Sequence, residues 1–226
     1  MQFSQLATVK HRLTVGKPLP FNVRNADHTL LLARGQVVDT YDQMEALFTR
    51  GALVDLAELR GAQDAIKDAT AEQLPQLWGQ CLDRVGQALQ SCTQEGFGKA
   101  LDEVSAPVQA LIERDSDLAI FQVLRQDGNK HTQYGITHSV HTAITAFLVA
   151  QRLGWDEASV QKVFKVALTM NLSMLELQGQ LAAQTEPPTA AQREAIHSHP
   201  QRSVEMLQLS GITDSEWLDA VAHHHV

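Results

Sequence analysis

Along residues 72–92, EQLPQLWGQCLDRVGQALQSC, the apolar positions Leu74, Leu77, Cys81, Val85, Leu89 and Cys92 recur every three or four residues with polar side chains between them. That spacing gathers them on one stripe of a helix. Helical periodicity holds from about residue 63 onward. EGFG at 95–98 breaks the first helix; Leu101, Val104, Val108, Leu111 and Ile112 mark the next, in which Pro107 predicts a kink or a boundary. SDLAIFQVLRQ (116–126) opens another with Ser116 as its cap, and the polar loop 127–130 ends it. A helix is then expected from about Ile136 to Leu153, stopped by Gly154, and a further one capped by Asp156 and running through Leu168. EPPT (186–189) interrupts the chain before Thr189 and Gln192, a capping-box pair. Pro200 suits the first turn of one more helix, and Asp214 caps the last, from Trp217 to the terminal histidines.

The first sixty residues follow a different pattern. LPFNVRNADHTLLLARGQVV (19–38) has short apolar runs divided by Asn25-Ala26-Asp27 and Arg34-Gly35, which predicts strands joined by tight turns. TYDQMEALFTRG (40–51) is a short helix with Thr40 as N-cap and Gly51 after its C-terminus, followed by a strand at Ala52-Leu53-Val54. The expected architecture is mainly α, a helical domain over 61–226 preceded by a small β-rich N-terminal module over 1–60.

Composition narrows what such a protein does. The 226 residues suit two modest domains, and 44% hydrophobic content supports a packed core, mostly aliphatic given only 5% aromatics. A net charge of −8 disfavours nucleic acid and anionic membrane as partners. Cys81 and Cys92 are the two cysteines; with no signal peptide and no membrane-length apolar run, the expectation is a reducing cytoplasm and no disulfide. Eleven residues apart on a helix, the two fall on one face as small core residues.

The chain carries ten histidines. His11 and His28 lie near turns of the N-terminal module and are read as surface residues. The other eight, His131, His138, His141, His197, His199, His223, His224 and His225, lie on or at the ends of predicted helices. Metal chemistry in a helical domain gathers imidazoles and carboxylates from several helices onto ions that acidify a bound water. His138, His199, His224 and His225 are the candidate ligands, on three separate helices. The run HHH is closed by Val226 and is shorter than a purification tag.

THSVHTAITAFLVAQRLGW (137–155), PPTAAQREAIHSHPQRSVEML (187–207) and AVAHHHV (220–226) resemble, in order and spacing, the HD-GYP domain of the HD metal-phosphohydrolase superfamily. The stretch GKPLPFNVRNADHTLLLARGQVVDTYDQMEALFTRGALVD is similar to the small module that precedes such domains in some bacterial proteins. The resemblance implies an HD-type helical domain and metal-dependent hydrolysis of cyclic di-GMP. By it, His138 matches the histidine of the His-Ser element and His199 that of the His-Pro element. His224 and His225 match the pair of the His-His-Glu element, with Val226 in place of the glutamate.

Other positions depart from the pattern. The signature His-Asp pair falls at Asn171 and Leu172, its glycine at Met174 and its lysine at Leu175. An amide fills the volume of an imidazole but ligates metal weakly, and leucine cannot bridge two cations. An acidic residue found one turn before the first histidine in some members aligns with Tyr134, and the Gly-Tyr-Pro segment would lie beyond residue 226. Without a bridging carboxylate, neither a hydroxide nucleophile nor a phosphoryl clamp is expected, and hydrolysis should be undetectable.

The resemblance therefore implies a degenerate member: a noncatalytic regulator or binding module in bacterial cyclic di-GMP-type signalling, with protein partners or a cyclic dinucleotide as ligand and no cofactor. The alternative is a residual phosphohydrolase holding a single divalent metal through the remaining histidines. A third reading makes the β-rich module an interaction platform and the helical domain a homodimerisation body, which is compatible with the first.

Overall fold

A computed structural model describes residues 3–55, 62–94, 96–125 and 133–226. His131, the polar loop 127–130 and Glu95 of the EGFG break lie outside the described residues. The chain divides into two compact units, Met1–Asp68 and Ala69–Val226.

In the first unit, strands Phe3–Gln5 (β1), Val23–Arg24 (β2), Leu30–Leu32 (β3) and Leu53–Asp55 (β4) form one antiparallel sheet in the order β1-β4-β2-β3. The predicted turn joins β2 to β3: the Asn25 N–H donates to the Thr29 carbonyl, and Asp27 Oδ1 accepts from the Thr29 N–H and hydroxyl. Helix α1, Tyr41–Thr49, starts on a capping box between Thr40 and Gln43, and Gly51 follows its end at a φ of +67°. Leu6, Phe21, Val23 and Val54 bury against Met44 and Leu47 of α1 to form this unit's core. Helix α2, Ala62–Lys67, completes the unit. His11 and His28 are exposed, as their turn positions predict.

The second unit is helical: α3 Leu74–Gln90, α4 Phe97–Arg114, α5 Ser116–Leu124, α6 Tyr134–Arg152, α7 Glu157–Thr169, α8 Leu175–Ala183, α9 Ala190–Leu209 and α10 Ser215–Ala222. The whole is mainly α with a small N-terminal β module. The α3 stripe is buried at Leu74, Cys81, Val85 and Leu89, joined by Trp78. Cys81 and Cys92 are free and buried, and burial raises both thiols above their ordinary range, which suits core packing and makes poor nucleophiles. Phe147 of α6 meets Phe164 of α7 edge to face, ring centroids 5.9 Å apart. Such fully buried side chains stabilise the fold by about 1.5–3 kcal/mol each. Among the described residues, no helix is long and apolar enough to cross a membrane.

Four boundaries differ from those the sequence predicts. Asp115, not Ser116, caps α5, its carboxylate accepting from the Leu118 N–H; an ionised acceptor one residue earlier takes the role the hydroxyl was expected to fill. Pro107 lies inside α4 and does not divide it, because Val104, Val108 and Leu111 bury on both sides of it. Pro200 likewise lies inside α9, whose start is fixed ten residues earlier by the Thr189–Gln192 capping box. The last helix begins at Ser215 behind its Asp214 cap and ends at Ala222, so the terminal histidines occupy the turn that follows.

Helices α6 and α8 approach so closely at Gly135 that a Cβ added there would overlap the Leu175 carbonyl oxygen. Neither partner is a flexible side chain, so Gly135→Ala must force the two backbones apart, at an expected cost of about 1–3 kcal/mol or more. Gly79, in the interior of α3, has nothing within 4 Å of an added Cβ. Gly79→Ala should therefore gain up to about 1 kcal/mol from helix propensity. Urea denaturation of both variants against the parent chain measures the contrast.

Candidate metal centre

Three imidazoles meet where the end of α10 turns back onto α9. His199 Nε2 lies 3.1 Å from His224 Nε2 and 3.3 Å from His225 Nε2. The ring centroids are 5.0, 5.1 and 4.2 Å apart around the triangle. One nitrogen from each ring falls within 4.8 Å of the other two, and among the described residues no carboxylate joins the group. His199 is 2% exposed, His224 half-buried and His225 exposed.

Local backbone chemistry aims these rings. In α9 the Ile196 carbonyl would ordinarily accept from the N–H four residues on, but residue 200 is proline and has none. His199 Nδ1 bonds to that carbonyl instead. At the end of α10 the Val221 carbonyl belongs to the last turn, whose acceptors have no helical partner. His224 Nδ1 bonds to it at 2.8 Å. A carbonyl only accepts, so in both rings the proton sits on Nδ1, and the Nε2 lone pairs face one another. Two lone pairs at 3.1 Å repel, a repulsion that a metal ion between them would relieve. Anchoring of the distal nitrogen by a carbonyl is also how metal-binding histidines are oriented.

The segment holding Asn171 and Leu172 is tied to the same helix. The turn Leu172–Met174 lies against α9, where Ser173 Oγ donates to the His199 carbonyl at 3.0 Å and the Ser173 N–H donates to Ser203 Oγ at 3.2 Å. Asn171, Leu172 and Met174 are all buried. Helix α10 is held in turn by Trp217, whose indole N–H donates to the buried Thr169 hydroxyl at 2.9 Å, and by Lys162 paired with Asp214 at 3.0 Å.

His138 does not join the three. It lies on α6 with Tyr134, the two rings parallel within 3° and 6.0 Å apart, and with His141 it lines a separate cavity. His197 is exposed on α9, and His223 bonds to the Asp219 carbonyl and pairs with its carboxylate at 3.2 Å. Of the four candidate ligands, the structure brings His199, His224 and His225 together and sets His138 apart. Ser173 and Ser203 were missed; the hydroxyl at 203, one turn after His199 on the buried face, was the available signal. Comparisons with protein-family models, with curated proteins and with solved structures return no match for this chain.

The donor set decides what the centre can hold. Three neutral imidazoles fit one borderline transition ion such as Zn²⁺, with a fourth position left open. They do not fit two bridged ions, which need a shared carboxylate. Burial lowers the pKa of His199 and His224 below the ordinary 6.5, against the raising effect of their carbonyl bonds, and the neighbouring imidazoles push the same way as burial. Burial also lowers His138 and His141. A folded state that resists protonation is penalised once the unfolded chain begins to bind protons. The stability these groups allow is therefore complete above about pH 6.5 and falls as pH drops through 6.5 toward their folded values. In metal-free protein, urea midpoints should decline from pH 7.5 to 5.5, and His224→Gln should shallow that decline.

Proposed function

We propose that the helical unit is a noncatalytic regulator or binding module of cyclic di-GMP-type signalling, a degenerate relative of HD-GYP phosphohydrolases that keeps an imidazole site for a single divalent ion. The observation that carries this reading is the convergence of His199, His224 and His225 without a carboxylate, beside a turn in which Leu172 and Met174 are buried. A two-ion hydrolase needs polar ligands at that turn, and leucine and methionine there fill the space with apolar volume instead. The ion would act as a fastener between α9 and the chain's last turn, since its ligands come from both. Occupancy then changes the surface those elements offer to a protein partner, to a second copy of the chain or to a cyclic dinucleotide.

A second reading, a single-ion phosphohydrolase, draws support from the open fourth position of a three-imidazole set. When bound, the ion would supply a Lewis acid and a more acidic water. The chain's own residues offer the three nitrogens and, among the described residues, no carboxylate in their group to take a proton.

Titration of the chelator-treated chain with Zn²⁺, or with Co²⁺ followed by its visible absorption, should saturate at one ion per chain. His224→Ala with His225→Ala should abolish uptake while leaving the helical circular dichroism intact. Cyclic di-GMP incubated with the Zn²⁺- or Mn²⁺-loaded chain should remain uncut. Two ions per chain, or metal-dependent turnover lost in the double variant, would overturn the noncatalytic reading in favour of the second.

A further inference from the structure

Apart from the three convergent histidines, α3, α5 and α6 line an open cleft of about 820 Å³. That volume lies within the range of small-molecule sites. Gly79 of α3 is on its wall. An interior helical glycine costs about 1 kcal/mol relative to alanine, which normally has a packing reason. Gly86, seven residues on, has one, because a Cβ there would meet Ile136 Cδ1 at 3.0 Å. Gly79 has none, with nothing within 4 Å of an added Cβ. What it does is leave the α3 backbone bare beside the cavity, the condition for close approach of a flat ligand.

The opposite wall supplies flat surface. Tyr134 and His138 are parallel within 3°, and both line the space, so a third ring can continue their stack. Around them stand Gln87, Gln122, Thr137 and His141, groups that both donate and accept hydrogen bonds. Charge on the wall is balanced: Asp83 and Arg125 are its acid and its base among the described residues. Among the described residues a phosphorylated ligand would find no excess of cations here. A saturated sugar would use the amides but gain little from the parallel rings.

We infer that this cavity binds an uncharged planar heterocycle of nucleoside size, which stacks on the Tyr134–His138 pair, lies against the bare backbone at Gly79 and is read by the surrounding amides and imidazoles. The site is separate from the three-histidine centre and does not depend on the function proposed for it. Isothermal titration of the full chain with adenosine and with guanosine, in the presence of a chelator, tests it. Saturable binding of at least one is expected. Gly79→Leu, which fills the cavity at a position open to a side chain, should weaken binding about tenfold or more without lowering the melting temperature. Removing the stacking face by Tyr134→Ala should weaken it by about tenfold. The inference is overturned if neither nucleoside binds at millimolar concentration, or if both variants bind as the parent chain does. It is equally overturned if the corresponding monophosphate binds more tightly than the nucleoside, or if glucose binds as well.

Discussion

One missing hydrogen organises the three-histidine centre. Proline at position 200 has no N–H to give the Ile196 carbonyl, and the ring of His199 takes that acceptor in its place. The bond fixes the tautomer, turns Nε2 outward and seats the imidazole against a rigid helix instead of leaving it to rotate. The same logic recurs at the end of α10, where an orphan carbonyl of the final turn orients His224. Two unrelated defects in helical hydrogen bonding, an internal proline and a terminus, are each repaired by a histidine. The two repairs aim their free nitrogens at one point.

Around that point burial holds the imidazoles of His199 and His224 away from protonation. Neutral imidazoles can act as ligands, and neutral rings with facing lone pairs repel one another, a cost that a bound ion would relieve. The buried turn at Leu172–Met174, tied through Ser173 to α9, closes one side with apolar volume and no charge. A carboxylate there would have neutralised a second ion. Leucine at 172 offers no charge to a second ion.

How much of this was legible in the sequence depended on how local its cause was. The Thr40 cap, the Thr189–Gln192 capping box, the Asp156 and Asp214 caps and the glycine after α1 were all readable, because each is settled within four residues. As helix boundaries the two prolines mislead for the opposite reason. Propensity alone ends a helix at proline, and only the buried neighbours of Pro107 and the long run of α9 outweigh that preference. Pairing of His199 with His224 and His225 could be anticipated from motif order. The separation of His138 could not, since it depends on which side of α6 faces the cavity, and the stripe of α6 is apolar on more than one side. The cavity itself left a faint trace in the chain, a glycine in the middle of an otherwise well-formed amphipathic helix.

The contact at Gly135 reaches beyond the stability of this molecule. Two helix backbones that touch without an intervening side chain admit a single residue at that position, whatever else changes around them. The rest of α6 can accept apolar residues of similar size. A chain with any other residue at the equivalent place must hold α6 and α8 farther apart, and so arrange the turn beneath His199 differently. Glycine at that position, three residues before His138, is thus a marker of helix spacing that any chain packed in this way must keep.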